Sequence, residues 1–453
     1  MRPIYDMLLA ASGRGRFHMP GHKGRAPFGP VDLYRLDTTE LPVTDDLYAA
    51  ERGIAQAQRL YARAAGAAET LFLHNGSSCG IHIMMQLWAR EGDTVLLPRN
   101  AHLSAVNGCV MGGARVRWIP VTQRADGYCY VREEDVLAAM ERHPRARTLL
   151  LTRPDYYGGC LPLGRIIDRA HALGMKVAVD EAHGAHLPWM DAPRSAGAMG
   201  ADVWVQSVHK TLPGLTGSAV MHLRDAADGE YALRLMRREQ TSSPSFLLMM
   251  GIDDARAYME ERGAQELKRV IARAEEVRRR LPALGYADAH NAWRDTGLDF
   301  DPTRLVIAAP QGGDALAQSL RQRGIDVEMN DLSRAVLILT AMDEDADFAA
   351  LTDALAEIPP VVSPAMTLAP ACPLPERVME VRPAATAPCE AVPLDRAEGR
   401  IAAAGAGLYP PGVPLICPGE RFDRNVLERL MNAGHQQRFG VEGDKVLCVT
   451  TNV

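Results

Sequence analysis

Short apolar runs alternate with helix-like segments between about residues 66 and 225. Six of the runs are predicted strands: TLFLH, DTVLLP, RVRWIPV, RTLLLT, KVAVD and DVWVQ. Between them, segments such as GIHIMMQLWAR and LGRIIDRAHALG carry apolar residues at helical spacing. Near-continuous apolar strands that alternate with helices are typical of a parallel sheet covered on both faces. The pattern therefore predicts a three-layer α/β domain, with functional residues in loops at the carboxyl ends of its strands.

The rest of the pattern divides the chain further. A long charged helix is predicted over 253–280, and a second α/β unit follows with RLVIAAP, IDVEMN and AVLILT. Nine of the 30 prolines fall within 36 residues after that unit, which indicates an extended linker. The predicted division is an N-terminal segment 1–65, a large domain 66–280, a small α/β domain 281–357, a Pro-rich linker 358–393 and a C-terminal domain 394–453.

Composition narrows the class of protein. A chain of 453 residues is too long for one core, and it has 50 Lys and Arg against 56 Asp and Glu, a formal charge of −6. This balance gives no global attraction to nucleic acid or an anionic membrane, and no apolar run approaches the ~20 residues that span a bilayer. None of the eight cysteines forms a C-x-x-C pair, which argues against a zinc ribbon or redox motif. Scattered thiols and no signal-peptide pattern predict a cytoplasmic protein.

Lys210 follows the apolar run DVWVQ within the sequence Ser207-Val208-His209-Lys210. A lysine at a strand end is either solvated or a nucleophile that forms an imine with a carbonyl cofactor. Solvated lysines are much the commoner kind. The position alone therefore leaves both roles open.

Asp180 ends the run KVAVD, which places its carboxylate at the mouth of a predicted strand. A carboxylate buried there without a cation would be costly. A protonated pyridine nitrogen would supply the cation, and the ion pair would keep the ring an effective electron sink. A metal ligand or a helix cap is an equally good explanation of this residue in isolation.

The segment 75–80 (NGSSCG) lies between a predicted strand and a helix. Glycines and hydroxyl residues at a helix N-terminus expose backbone N–H groups suited to a phosphate. The same segment matches the Gly-x-Ser-x-Gly nucleophile elbow of α/β hydrolases, with Ser78 as nucleophile. A triad could use Asp180 with His209, or Asp299 with His435, but this interpretation leaves Lys210 unexplained.

His102 follows the run TVLLP, where an imidazole could stack on an aromatic cofactor ring or serve a structural purpose. Together, the four strand ends carry a phosphate cradle, a stacking histidine, an acid for a pyridine nitrogen and an imine lysine. Their order and spacing resemble those of the large domain of aspartate-aminotransferase-like (fold type I) pyridoxal-phosphate enzymes.

Two other motifs carry little weight. His18 and His22 have the i, i+4 spacing of a helical metal pair, but Pro20 and Gly21 would break that helix, and no metal site is predicted. The pair of glycines at 13 and 15 lacks the third glycine of a dinucleotide fingerprint.

Longer motifs extend the resemblance to nearly the whole chain, from about residue 15 to about 445. They are FHMPGHKG, LPVTDDLYAAERGI, FLHNGSS, PRNAHLS, VDEAHGAH, QSVHKTLPGLTGS, EQTSSPSFLLM and YPPGVPLICPGE. These co-linear segments resemble the Orn/Lys/Arg decarboxylase family, in the shorter form of bacilli and other bacteria that has no N-terminal wing domain and is usually labelled arginine or lysine decarboxylase.

The resemblance implies a role for each matched residue. Lys210 would bind pyridoxal phosphate covalently, Asp180 would hold the pyridine nitrogen, and His183 would lie near the ring hydroxyl. His102 would stack on the ring. The residues implied as phosphate contacts are Ser77, Ser78, Ser207, His209 and, from the neighbouring subunit, Ser243. Those implied to frame the substrate pocket are Asp45, Asp46 and Glu420.

The implied activity is decarboxylation of arginine, lysine or ornithine to agmatine or a diamine, as in polyamine biosynthesis, with Lys210 or His209 returning a proton to the α-carbon. The implied assembly is a homodimer or higher homo-oligomer with its active site at the dimer interface, to which segment 1–65 contributes. The sequence departs from the family pattern at His74, Ala101, Arg153, Asp155 and Gly217. None of these is a proposed cofactor contact, so the expectation of pyridoxal phosphate is unchanged. The departures concern the identity of the substrate.

Three other functions remain open. An aldolase or aminotransferase would share the cofactor contacts, because a fold does not determine a reaction. A serine hydrolase would use Ser78. A non-catalytic regulatory homologue would be expected to have lost Lys210 or Asp180, and both are present.

Overall fold

The computed structural model describes residues 14–29, 32–41, 44–190, 194–360, 374–409, 412–433 and 437–450. Parts of the predicted N-terminal segment (1–13) and linker (361–373), and the alternative triad residue His435, lie outside the described residues.

A seven-stranded sheet forms the centre of the large domain. Its strands are β1 (Glu69–Leu73), β2 (Thr94–Pro98), β3 (Arg115–Ile119), β4 (Thr148–Thr152), β5 (Lys176–Asp180), β6 (Val203–Gln206) and β7 (Ala219–Leu223). They lie in the order β1-β7-β6-β5-β4-β2-β3. Leu, Val and Ala side chains on both faces are buried, as expected for a sheet covered by helices. Six strands run in one direction, so their carboxyl ends share one edge.

The seventh strand, β7, was not predicted from the sequence, whereas the six predicted strands all run in the same direction. β7 runs antiparallel to both β6 and β1. The connection 207–218 contains one helical turn, Val208–Thr211, and a left-handed glycine at Gly217 (φ 96°). A crossover to a parallel strand usually requires a whole helix, so this short connection returns the chain antiparallel. The central sheet is therefore mixed.

Helices cover the sheet and lead out of it. They are α1 (Gly53–Ala65), α2 (Gly76–Leu87), α3 (Leu103–Gly112), α4 (Glu133–Arg142), α5 (Gly164–Ala172), α6 (Val208–Thr211), α7 (Gly229–Glu239), α8 (Phe246–Tyr258) and α9 (Ala264–Arg280). The predicted charged helix 253–280 corresponds to α8 and α9, which are joined by a π-helical turn, Met259–Gly263. Shorter elements are the helix Leu33–Leu36 and the hairpin of Thr122–Gln123 with Cys129–Tyr130.

The small domain has its own sheet and core. Its strands are β8 (Ala287–Asp288), β9 (Arg304–Ala308), β10 (Ile325–Val327), β11 (Met329–Asn330) and β12 (Arg334–Ile338), and its principal helices are α10 (Gly313–Gln322) and α11 (Asp345–Glu357). Four strands pair in the order β8-β9-β12-β11, and β10 pairs in parallel with the N-terminal strand Gly15–Phe17. A short helix, Ala289–Ala292, follows β8, and the strand pair Gly159–Cys160 and Asp299–Phe300 joins the small domain to the large one.

The C-terminal part begins earlier than the predicted boundary at residue 394. Within the predicted linker, the described residues include helix α12 (Val381–Thr386) and a strand, Cys389–Pro393, that pairs with Lys445–Val449. The other strands are Ala406–Tyr409, Pro414–Ile416, Gln437–Phe439 and Val441–Glu442, and helix α13 spans Arg424–Met431. A separate apolar core includes Ile416, Phe422 and Val426. Prolines at 383, 388 and 393 are compatible with these elements because they lie at element ends or in a helix's first turn.

The loop after strand Gly15–Phe17 fastens α6 to the small domain. The Gly21 N–H donates to the carbonyl of His209 on α6 at 2.7 Å, and the Thr340 hydroxyl donates to the Gly21 carbonyl at 2.8 Å. The buried Lys23 ammonium donates to the carbonyls of His18 (3.1 Å) and Ile338 (2.8 Å). The loop therefore contacts both the helix that carries Lys210 and the small-domain sheet.

Replacing Gly21 by alanine is expected to lower the free energy of unfolding by about 1–3 kcal/mol. A β-carbon at this position would lie 2.5 Å from the Leu212 carbonyl oxygen, and backbone atoms cannot rotate away. Urea unfolding followed by circular dichroism measures the change. Gly164→Ala is the matched control, because nothing lies within 4 Å of its β-carbon. Equal stabilities of the two variants would contradict the contact.

Candidate active site

Five strand ends deliver side chains to the same edge of the central sheet. Asp180 ends β5 and lies in register with Thr152 of β4 and Val205 of β6. The chain continues from β6 through Ser207 to Lys210 on α6, from β1 into α2, and from β2 to His102 at the start of α3. The predicted residues of the large domain therefore gather where parallel strands meet helix N-termini.

An anion cradle lies where α2 and α6 begin. The buried Ser207 hydroxyl donates to the buried Ser77 hydroxyl at 2.7 Å. No side-chain cap bond is made at the start of either helix, by Asn75 before α2 or by Ser207 before α6. Ser78 is exposed at the same turn. Two adjacent hydroxyls and backbone N–H groups at the N-terminus of α2 match the donors that a phosphate requires.

His209 adds a ring nitrogen on α6. Its Nδ1 lies 3.0 Å from the Ser218 carbonyl, so Nδ1 carries a proton that it donates. Burial lowers the pKa of His209, against the opposing effect of the Ser218 carbonyl. The neutral ring then presents Nε2 as an acceptor, and Nε2 donates to a phosphate only when the ring is protonated.

Asp180 supplies a buried carboxylate. Its side chain is 5% exposed, and Oδ1 accepts the Ala182 N–H at 3.1 Å. Helix α6 brings the Lys210 amine close enough for Asp180 to raise the pKa of that lysine. A buried carboxylate with one backbone donor has the capacity to accept a hydrogen bond from a protonated pyridine nitrogen.

Lys210 is partly buried between groups of both charges. Burial lowers the pKa of its amine most strongly; Asp180 and Glu328 oppose this, and Arg304 adds to it. Its Nζ lies 3.2 Å from Nε2 of His183 and 5.9 Å from the centre of the Tyr156 ring. A lowered pKa increases the fraction of unprotonated, nucleophilic amine at neutral pH.

Two histidines flank the lysine. Burial holds the pKa of His183 well below its usual range, and the nearby cations Lys210 and Arg304 lower it further. The Tyr156 ring packs on His183 at a centroid distance of 4.5 Å. His102 caps α3 by accepting the Ser104 N–H at Nδ1 (3.2 Å), and burial is the main cause of its lowered pKa. Stacking of His102 on a cofactor ring stays a prediction.

The residues predicted to frame the substrate pocket have other partners within this chain. The Asp45 carboxylate (φ 115°) accepts four backbone N–H groups between residues 46 and 54, and Asp46 caps the turn at Tyr48. Glu420 is buried and accepts from Arg99 (3.0 Å) and the Cys417 N–H (2.7 Å), which attaches the C-terminal domain to the end of β2. A substrate role for these three stays a prediction.

Ser243 is exposed, and its N–H donates to Thr241 Oγ1. The contacts within one chain do not test its predicted contact with a neighbouring subunit's phosphate, which stays a prediction.

The hydrolase alternative finds no triad within the described ranges. There Ser78 makes no hydrogen bond to Asp180 or His209, which bind Ala182 and Ser218 instead.

Sequence reasoning missed three residues near Lys210: Arg304 and Glu328 from the small domain, and Tyr156 after β4. Tyr156 follows a predicted strand, a signal that could have placed it at this edge. Arg304 and Glu328 gave no such signal, because Arg304 begins a strand of another sheet and Glu328 lies between two small-domain strands.

The residues present fit pyridoxal phosphate. A buried carboxylate, a lysine of lowered pKa and an anion cradle lie at one edge of the sheet, each matched to a different part of that molecule. In the part of the chain that the structure describes, no cluster of three or more His, Cys, Asp or Glu side chains is placed to hold a metal ion. Over the same residues, no helix has the length and apolar character needed to cross a membrane.

Comparison with known proteins gives matches over most of the chain. The model of the Orn/Lys/Arg decarboxylase major domain matches residues 2–302, and that of the family's C-terminal domain matches 371–438. The arginine decarboxylase of Bacillus subtilis is 32% identical over 445 residues, covering 92% of this chain and 90% of that protein.

Solved structures share the fold. Lysine decarboxylase A from Pseudomonas aeruginosa superposes with a TM-score of 0.78 at 20% identity, over 92% of this chain and 74% of that one. The Sphingomonas wittichii serine palmitoyltransferase gives a TM-score of 0.57 at 16% identity, over 76% and 86% of the two chains. The chain therefore belongs to the Orn/Lys/Arg decarboxylase family and is a pyridoxal-phosphate-dependent amino-acid decarboxylase of the aspartate-aminotransferase-like fold (fold type I).

Proposed function

We propose that this decarboxylase acts on a basic amino acid and that arginine is the first substrate to test, with lysine and ornithine as the alternatives. The observation that supports the reaction is the partly buried Lys210 amine, held between Asp180 and His183 at the carboxyl edge of the sheet. The likeness to the Bacillus subtilis arginine decarboxylase, 32% identical over 92% of the chain, supports arginine. The products would be carbon dioxide and agmatine, or a diamine from the alternatives.

Each residue of the site would have a defined task. Pyridoxal phosphate, when bound, supplies an electron sink for the pair of electrons left when the bond to the carboxylate breaks. Asp180 would hold the proton of the pyridine nitrogen, and the cradle of Ser77 and Ser207 would hold the phosphate. The Lys210 amine would hold the cofactor covalently before the substrate binds. Carbon dioxide leaves, and one proton is consumed at the α-carbon, delivered from Lys210 Nζ or His209.

We also propose that the active enzyme is a homodimer whose second copy covers the N-terminal segment. Large apolar side chains are exposed there, with Tyr34 93% exposed. The others on this segment are Phe28, Leu33, Leu36 and Leu41. Several exposed large apolar side chains within one short segment are more typical of an interaction surface than of a solvated one. The exposed Ser243 would then reach the phosphate of the neighbouring subunit.

A substrate panel tests the proposed activity. The enzyme with pyridoxal phosphate is given L-arginine, L-lysine, L-ornithine and, as a control without a distal cation, L-norleucine. We expect carbon dioxide release and the matching amine, identified by mass spectrometry, from one basic amino acid at the highest kcat/KM. Light scattering of the same sample should give twice the chain mass of 49.3 kDa. Carbon dioxide release from none of the three basic amino acids would exclude the proposal.

A further inference from the structure

Arg304, His183 and Lys210 lie in a row that crosses from the small domain into the large one. Nη2 of Arg304 lies 3.3 Å from Nδ1 of His183, and Nε2 of His183 lies 3.2 Å from Nζ of Lys210. Arg304 is the first residue of β9 and is fully buried. Both ring nitrogens of His183 therefore face nitrogen atoms of other side chains.

The chemistry of these groups allows one arrangement of protons. A guanidinium donates and never accepts, and it stays protonated in proteins. The His183 nitrogen that faces Arg304 must therefore be the acceptor. A neutral imidazole carries its proton on one nitrogen only, so the proton of His183 lies on Nε2. The Nε2–H group points at Lys210, and an ammonium there would set donor against donor.

We infer that Arg304 is a positioning residue for the decarboxylase: it holds His183 in the tautomer with its proton on Nε2, so that His183 donates to Lys210 and keeps that amine unprotonated and nucleophilic. The inference rests on the proposed function, because it gives a reason for a free amine at Lys210. It extends that function by assigning a task to a small-domain residue.

The electrostatic surroundings support the inference. Arg304 and burial both lower the pKa of Lys210, whereas Asp180 and Glu328 raise it. Burial and the cations around His183 keep the pKa of that ring low, so it stays neutral. The titratable groups that face Lys210 and His183 are Asp180, Tyr156, His102, His209, Glu328 and Arg304.

The contacts of Arg304 also distinguish it from a structural arginine. Among the described residues, its Nε and Nη1 have no hydrogen-bond partner, and Nη2 is directed at the Nδ1 and carbonyl oxygen of His183. Arg334, another buried arginine of the small-domain sheet, instead pairs with Asp331 at 2.9 Å and donates to the Asp126 carbonyl. Arg334 therefore serves as a matched control that lies away from Lys210.

The test measures the chemical reactivity of the Lys210 amine in the apoenzyme, so its outcome does not depend on the decarboxylation assay. Acetylation of Lys210 by acetic anhydride is followed against pH by peptide mass spectrometry in wild type, Arg304→Gln, Arg304→Lys and Arg334→Gln. In Arg304→Gln we expect the midpoint of Lys210 reactivity to rise by about one pH unit, which is about a tenfold slower reaction at neutral pH. Arg304→Lys, which keeps a cationic donor, should restore most of the reactivity, and Arg334→Gln should match wild type.

A second measurement covers the case in which Arg304→Gln does not fold. Nitrogen-15 NMR of histidine-labelled wild-type apoenzyme, with His183 assigned from a His183→Gln variant, should show Nε2 protonated and Nδ1 bare. The opposite tautomer would overturn the inference. A folded Arg304→Gln apoenzyme whose Lys210 acetylation profile equals that of wild type would also overturn it. This holds even if the same variant, loaded with cofactor, shows a changed KM for the amino acid.

Discussion

Replacing Lys210 by alanine is expected to lower kcat for decarboxylation by about 10³-fold or more and to abolish covalent attachment of pyridoxal phosphate. In the proposed mechanism the Lys210 amine is the nucleophile, and its Nζ lies 3.2 Å from Nε2 of His183 with Asp180 close enough to raise the pKa of the lysine. Borohydride reduction of the loaded wild-type enzyme followed by peptide mapping should place the cofactor on Lys210. The same treatment of the variant should yield no labelled peptide.

Lys176→Ala provides the matched control for this experiment. Lys176 begins β5, whereas Asp180 ends it, so the two lie at opposite edges of the sheet, and Lys176 pairs with Asp202 at 3.2 Å. Its removal should leave both turnover and labelling as in wild type. Normal turnover by the Lys210→Ala protein would show that the site has been assigned to the wrong residue.

Replacing Asp180 by asparagine is expected to reduce kcat by about 30-fold to several thousand-fold. Asparagine keeps an oxygen that can accept the Ala182 N–H, so the local fold should persist, but the negative charge is lost. Truncating one partner of a buried charge pair costs about 2–5 kcal/mol, and each 1.36 kcal/mol is tenfold in rate. Steady-state rates at saturating pyridoxal phosphate measure the loss in catalysis. Equilibrium dialysis measures separately the loss in cofactor affinity.

In the apoenzyme, the Asp180→Asn variant should also change the pH midpoint of Lys210 acetylation in a predictable direction. Asp180 raises the pKa of Lys210, so its loss should move the midpoint of Lys210 acetylation to lower pH. Asp202→Asn is the control, because Asp202 is also a buried carboxylate, and it binds His171 and Lys176 at the other edge of the sheet. An Asp180→Asn enzyme as fast as the Asp202→Asn enzyme would be incompatible with an ion pair to the pyridine nitrogen.

The residues that sequence could place are those that directly follow a strand. Asp180 and Lys210 come after runs whose apolar pattern identifies them as buried strands, and parallel strands bring such positions to one edge. Strand β7 was not predicted, and its antiparallel direction could not be, because direction depends on the length of a connection and not on the pattern of side chains.

Pairings between distant segments could not be predicted in the same way. The matched motif implied that Glu420 frames the substrate pocket, which stays a prediction, but nothing in the sequence indicated that its carboxylate binds Arg99, 321 positions earlier. Arg304 reaches His183 across 121 positions and from a different sheet. No local periodicity encodes contacts of this kind, because they depend on how whole domains pack.

The strand Gly15–Phe17 has a consequence for the order in which the chain acquires its structure. Its partner, Ile325–Val327, is synthesised some 310 residues later, so the ribosome must complete most of the protein before the two can pair. The loop that follows this strand is the one that fastens α6. Because domains tend to fold in sequence as they emerge, and distant contacts form late, the large domain should be assembled before its reactive lysine is locked in place. A nascent or truncated chain ending before residue 325 would then contain every strand of the central sheet and still lack a firmly held α6.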